Sequence, residues 1–193
     1  MIVVGLTGTI GSGKTFALNF FKSKKITIFS ADKEVKKILE KKIIKEKIYK
    51  IFPGSFSKNK LNKNILASIV FNDKKKLRRL ERIIHPFVKK NKKNFLNKNK
   101  KKKIIVMEIP LIFEKKSKKN YDYIILMTVN KKIQKQRVMK RKNMTPQLFE
   151  KILFNQIPDK KKKADFIIDN NGPKAKTSKI LRKTLNKIMS TKL

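Results

Sequence analysis

The chain contains no cysteine, which excludes disulfides, zinc–thiolate sites and cysteine nucleophiles. It has a single histidine, His85, so a metal site built from several histidines is excluded too. Acidic side chains are scarce: 13 Asp and Glu stand against 53 Lys and Arg, a formal charge of +40. No apolar run approaches the ~20 residues that cross a bilayer, and no membrane partner is expected. The opening Met1-Ile2-Val3-Val4-Gly5-Leu6 lacks a basic leader and reaches its Gly-Thr step too soon for a signal peptide. A soluble cytoplasmic protein is therefore expected.

Arginine is scarce as well. Only 6 of the 53 basic residues are Arg. Base reading and two-pronged phosphate contacts favour the rigid guanidinium fork. The abundance of Lys together with Asn, Ile and Phe matches AT-rich coding, so the charge reads first as compositional drift. No specific nucleic-acid partner is expected, although adhesion to RNA at low salt follows from charge alone.

What the chain does contain is enough apolar material for a core: 39% of its 193 residues, with 13 Phe. That length suits one domain with a lobe inserted into it. Five short apolar runs read as buried strands: Ile2–Leu6, Ile26–Phe29, Ile104–Met107, Tyr123–Val129 and Phe166–Ile168. Helical stretches separate them, which predicts an α/β fold with a five-stranded parallel sheet flanked by helices. The second and third runs lie roughly 70 residues apart, far beyond what a crossover needs. The interval has apolar residues at helical spacing (Val35, Ile38, Leu39; Leu77, Leu80, Ile83, Ile84), which predicts an inserted helical lobe over about residues 33–100. Pro53-Gly54-Ser55 marks a turn within it, and Ile180, Leu181, Leu185 and Ile188 predict an amphipathic closing helix.

One motif carries chemistry outright. Gly8-Thr9-Ile10-Gly11-Ser12-Gly13-Lys14-Thr15 fits G-x-x-x-x-G-K-[ST], and it follows a buried strand and opens a helix. The glycines let the backbone wrap phosphate, so that successive N–H groups form an anion nest at a helix N-terminus. Lys14 is then expected on the β/γ-phosphates of ATP, and the Thr15 hydroxyl on Mg²⁺.

Other residues stand where strands end. Asp32 follows the second strand; it either accepts or orients a substrate hydroxyl or caps the next helix. Glu108 closes the third strand, as a second group toward Mg²⁺ or as a structural carboxylate. Arg137 and Arg141 stand four apart on one helical face. In a lysine-rich chain they either neutralise a transferring phosphoryl group or are surface residues. Thr145-Pro146 reads as an N-cap and first helical residue, making two helices and a candidate mobile lid. Glu114 reads as a salt-bridge residue. His85-Pro86 is expected to end a helix, with His85 either a packing residue or a catalyst.

In order along the chain these segments resemble the dephospho-CoA kinases, which complete coenzyme A synthesis. The resemblance runs from residue 1 to about 172. It rests on Gly5–Thr15, Ser30-Ala31-Asp32, Leu80–Pro86, Pro110-Leu111-Ile112-Phe113-Glu114, the Arg137 to Arg141 pair, and Ala164–Gly172 with its Asp169-Asn170-Asn171-Gly172 exit. Thr9 replaces a usual Gly, Thr15 a Ser and Ser30 an Asp, and the stretch between Gln156 and Ala164 is about two residues short. The resemblance implies a single P-loop kinase domain over 1–193, whose lobe at about 33–100 binds the acceptor and whose lid spans about 135–157. It implies transfer of the ATP γ-phosphate to the ribose 3′-hydroxyl of 3′-dephospho-CoA, with Mg²⁺ as cofactor. Lys14, Arg137 and Arg141 would stabilise the phosphoryl group, and Asp32 would act on the hydroxyl. Asn171 would join the loop residues in binding nucleotide, and His85, Pro110 and Leu111 would lie on the acceptor side. A monomer is expected. The alternatives are a nucleoside or nucleoside-monophosphate kinase and a basic nucleic-acid-binding P-loop protein.

Overall fold

The computed structural model describes residues 1–110, 112–113, 117–142, 144–154, 156 and 163–191. The chain forms two compact units, one of residues 1–30 with 99–193 and the other of residues 31–98.

The first unit is built on β1 (Ile2–Gly8). Its β-branched residues Ile2, Val4 and Thr7 are buried, as the strand lies in the middle of a five-stranded sheet. α1 (Lys14–Ser23) follows, then β2 (Thr27–Ser30). After the second unit the chain returns as β5 (Ile104–Glu108), β6 (Tyr123–Thr128), α6 (Lys131–Met139), α7 (Pro146–Phe154), β7 (Phe166–Asp169) and α8 (Lys174–Ser190). The sheet order is β2-β5-β1-β6-β7 and every pairing is parallel. The register sets Leu6 beside Glu108 and Ser30 beside Glu108, so β2 and β5 end together while β1 runs on to Gly8.

One face of the sheet packs under α1 and α8. Ala17, Leu18, Phe20 and Phe21 meet Leu181, Leu185 and Ile188 over Val4, Leu6, Val106 and Ile125. A smaller cluster of Ile112, Phe113 and Ile124 packs with Ile109, Tyr121 and Ala164. Gly5 is required there: a Cβ on it would come within 2.8 Å of Ile112 and 3.1 Å of the Tyr121 ring. Burial pushes the Tyr121 phenol up to about 12.

The second unit comprises α2 (Ala31–Glu40), α3 (Lys42–Ile51), a 3₁₀ turn (Pro53–Ser55), a hairpin of β3 (Phe56–Ser57) and β4 (Lys60–Leu61), α4 (Lys63–Phe71) and α5 (Lys74–Lys98). Its own core holds Ile38, Ile44, Ile48, Phe52, Leu66, Val70 and Ile84. Two caps fix its helix starts. Asn62 accepts from the Asn64 and Ile65 amides, and Asp73 accepts from the Lys75 and Lys76 amides at 2.7 and 3.1 Å. Those backbone bonds hold the Asp73 carboxyl below its ordinary value.

Two local expectations are corrected and one element is new. Helix α5 does not end at His85-Pro86 but runs through Pro86 for 25 residues. Proline removes one amide bond to the Arg82 carbonyl. Apolar positions on both sides of it (Leu77, Leu80, Ile83, Phe87, Val88) pack on the same core and keep the helix continuous. Helix α2 begins at Ala31, so Asp32 lies inside its first turn and is not the residue before it. The β3–β4 hairpin was not anticipated. Its central residues Lys58 and Asn59 both have positive φ, 47° and 59°, without the glycine that usually signals such a turn.

Candidate functional site: a phosphate loop and its supports

Between β1 and α1 the backbone turns through Gly11 (φ +77°) and Gly13 (φ +97°), a conformation that favours glycine. Neither position has room for a side chain. A Cβ on Gly11 would stand 2.7 Å from Val138, and one on Gly13 would stand 2.0 Å from the Asn170 amide. Gly13 is the N-cap of α1, and the first turn of that helix carries no acid. The helix start therefore presents the positive end of its dipole. Lys14 Nζ folds back over the loop, donating to the Gly8 and Thr9 carbonyls at 2.9 and 3.1 Å. Thr15 is exposed at the same helix start. A cation, a positive helix end and a backbone curled by two left-handed glycines form a receptor for a polyphosphate.

Three elements brace this loop. From α6, Gln134 Nε2 donates to the Thr9 hydroxyl at 3.0 Å and to the Ile10 carbonyl at 2.7 Å. From the end of β7, Asn170 Nδ2 donates to the Ser12 carbonyl at 2.9 Å. From the segment after β5, the Pro110 carbonyl accepts from the Thr7 hydroxyl at 3.0 Å. The Ser12 hydroxyl is buried without a hydrogen-bond partner.

Of the residues singled out in the sequence, Glu108 is buried, at 5% exposure, and accepts from the Ser30 hydroxyl. Ser30 thus serves as a donor to the neighbouring carboxylate. Thr15 and Glu108 are both hard oxygen donors, the kind that suits Mg²⁺, which keeps most of its shell as water and phosphate. Among the described residues no cluster of three or more His, Cys, Asp or Glu could hold a metal by protein ligands alone.

Arg137 is half-buried on α6. Its Nη2 donates to the Asn170 carbonyl at 2.9 Å, while its Nη1 is buried and unpartnered. Arg141 is exposed just beyond α6. Thr145 accepts from the Leu148 amide at 3.2 Å and caps α7, whose first residue is Pro146. Asn171 is tied up locally: its Oδ1 accepts from the Asn130 amide at 2.7 Å and its Nδ2 donates to Asp169. In the second unit, Asp32 is exposed, and His85 lies on the surface with Nε2 3.7 Å from Glu81. Leu111 and Glu114 lie outside the described residues, as do parts of the expected lid (residues 143, 155 and 157) and most of the shortened stretch before Ala164.

Sequence reading missed Gln134, Asn170 and Thr177, whose hydroxyl donates to Asn170 Oδ1 at 3.0 Å. A signal for the first was present: Gln134 stands three residues before Arg137, on the face that also carries Arg141. Asn170 lies next to Asn171, the asparagine to which the resemblance points.

A family model described as CoaE, dephospho-CoA kinase, matches residues 2–176. A dephospho-CoA kinase from Bartonella quintana is 43% identical over 173 residues, covering 88% of this chain and 89% of that protein. The chain is also similar to two solved structures. One is a dephospho-CoA kinase from Campylobacter jejuni, 29% identical with a TM-score of 0.71, matched over 99% of this chain and 98% of that one. The other is TT1252 from Thermus thermophilus, 26% identical with a TM-score of 0.84 over 96% and 97%.

Proposed function

The chain belongs to the dephospho-CoA kinase family, and from that premise we propose how its residues transfer the ATP γ-phosphate to the ribose 3′-hydroxyl of dephospho-CoA, giving coenzyme A and ADP. The observation that carries this reading is the Gly8–Thr15 loop, curled by two left-handed glycines onto the start of α1 with Lys14 held over it.

The loop amides and Lys14 bind the ATP phosphates. Lys14 exchanges its two carbonyl partners for phosphate oxygens, a swap of neutral for charge-assisted bonds. Thr15 and Glu108 would hold Mg²⁺, which supplies neutralising charge on the β- and γ-phosphates. Asp32 accepts the proton of the attacking hydroxyl or orients it for in-line attack. Arg141 and the unpartnered Nη1 of Arg137 offer guanidinium donors to the transferring group. The lid over about residues 135–157 covers the nucleotide, with Val138 near its start packed on the loop and Gln134 just before it hydrogen-bonded to Thr9. The second unit, over residues 31–98, binds the acceptor, and the protein works as a monomer. Asn171 contributes to the nucleotide site through the turn it builds, and the acceptor-side roles of His85, Pro110 and Leu111 rest on the family resemblance alone.

An acceptor panel tests the assignment. Purified protein with ATP is offered dephospho-CoA, nucleosides and nucleoside monophosphates, with and without Mg²⁺. Mg²⁺-dependent turnover confined to dephospho-CoA is expected; preferential turnover of a nucleoside or its monophosphate overturns it. A second reading, a basic nucleic-acid-binding protein, has no comparable observation, since the cationic surface is lysine spread along the chain.

A further inference from the structure

We propose that Asn170 is a positioning residue for the phosphate loop, holding the Ser12–Gly13 peptide in the orientation that points its N–H at the nucleotide, and that Thr177 sets Asn170 for this task. The proposal rests on the reading of Gly8–Thr15 as the nucleotide site.

Asn170 is 6% exposed, and all four of its polar functions are engaged. Its backbone N–H donates to the Thr128 carbonyl at 2.9 Å, and its carbonyl accepts from Arg137 Nη2 at 2.9 Å. Those bonds fix the main chain between β6, β7 and α6. Its side-chain amide then spans two further elements, with Nδ2 on the Ser12 carbonyl and Oδ1 on the Thr177 hydroxyl of α8. The orientation of the amide is determined by its partners. The Ser12 carbonyl can only accept, so the NH₂ must face it, and the Thr177 hydroxyl must then donate to Oδ1.

The consequence is geometric. In a planar trans peptide the C=O and N–H point in opposite directions. Holding the Ser12 carbonyl toward Asn170 turns the Gly13 N–H the other way, into the cradle that Lys14 covers. The same amide fills the space where a residue other than glycine at position 13 would put its Cβ, 2.0 Å away. A peptide next to a left-handed glycine has a competing flipped orientation at small steric cost. A buried donor on its carbonyl selects one of the two.

A residue that merely fills space would show itself in stability alone; a positioning residue must show itself in nucleotide parameters. Thr177 is fully buried, and Thr177→Val keeps its shape while leaving Asn170 Oδ1 without a donor. Thr177→Ser restores the donor with one methyl fewer. Asn170→Asp keeps the size but sets a carboxylate oxygen against the Ser12 carbonyl. For each variant, ATP KM, dephospho-CoA KM, kcat and Tm are measured, with direct ATP binding to the unaltered protein as reference. Thr177→Val is expected to raise ATP KM or lower kcat about 10-fold, in line with an unsatisfied buried acceptor. Dephospho-CoA KM should hold, Thr177→Ser should return most of the activity, and Asn170→Asp should be worse than Thr177→Val. The proposal is overturned if folded Thr177→Val and Asn170→Asp keep ATP KM and kcat within about 2-fold of the unaltered protein. It is also overturned if Thr177→Ser is as impaired as Thr177→Val. Failure of the unaltered protein to bind ATP would instead overturn the reading of the loop.

Discussion

Lys14 spans the loop it belongs to, and its bonds to Gly8 and Thr9 are the ones a phosphate would replace. In the proposed mechanism, truncating it removes a charged stabiliser of the transition state without opening the core. Lys14→Ala is therefore expected to lower turnover by about 10²–10⁴-fold with Tm little changed; near-normal turnover by the folded variant would refute its role. Asp32 is exposed in the first turn of α2, so Asp32→Asn should leave ATP affinity intact while the single-turnover rate falls steeply, because an amide cannot take the hydroxyl proton. Parallel losses in both, or in neither, would return Asp32 to a structural role. Arg141→Lys keeps the charge and loses the fork. In a chain with 53 basic residues it changes little else, so a drop in kcat at unchanged solubility is expected. Wild-type kinetics would remove Arg141 from the mechanism. At this scale the sequence revealed the whole loop, because loop chemistry is local and its glycines stand at fixed spacing. It did not reveal Asn170 or Gln134, whose partners are 158 and 124 residues away in the chain.

Elements were legible where one period dominated. The five sheet strands lie within two residues of their expected ends, since continuous β-branched runs admit little else. The β3–β4 hairpin is not legible because two-residue strands give no alternation to read, and the length of α5 is not legible because Pro86 signals a helix end in sequence while the core that holds both its halves is tertiary. The start of α5 yields a pH test. Asp73 has its carboxyl lowered by the Lys76 and Lys75 amides, so its contribution is present above the ordinary value of 3.8 and is lost as pH falls through the lowered folded value. Amide protection at Lys75 and Lys76, corrected for intrinsic exchange, should decline on acidification in the native chain and stay level in Asp73→Asn. Equal decline in both would mean that the cap is not the titrating group.

On the scale of the whole molecule, the family match carries the kinase reading, while the +40 charge taken alone would point to nucleic acid. The inserted unit was legible as an over-long interval between strands, but its core had to be seen, because its contacts join residues that helical periodicity alone cannot pair. That insertion also shapes the order in which the chain can fold. β2 pairs with β5 only after the roughly 70 residues between them have been made, and joining such distant segments carries a loop-closure entropy that local contacts avoid. The intervening helices have a hydrophobic core of their own, and collapsing first would draw the two strands' flanks together and shorten the effective loop. Ile48 is fully buried in that core, and Ile48→Ala should cost about 2–5 kcal/mol there. Although the substitution lies in a unit that contributes no strand to the main sheet, pulse-labelled hydrogen exchange should then find protection of β1 and β5 appearing later. An unchanged rate would mean that the sheet nucleates first. If the helices do lead, the insertion is a kinetic device: a segment that the nascent chain completes before it can zip its central strands.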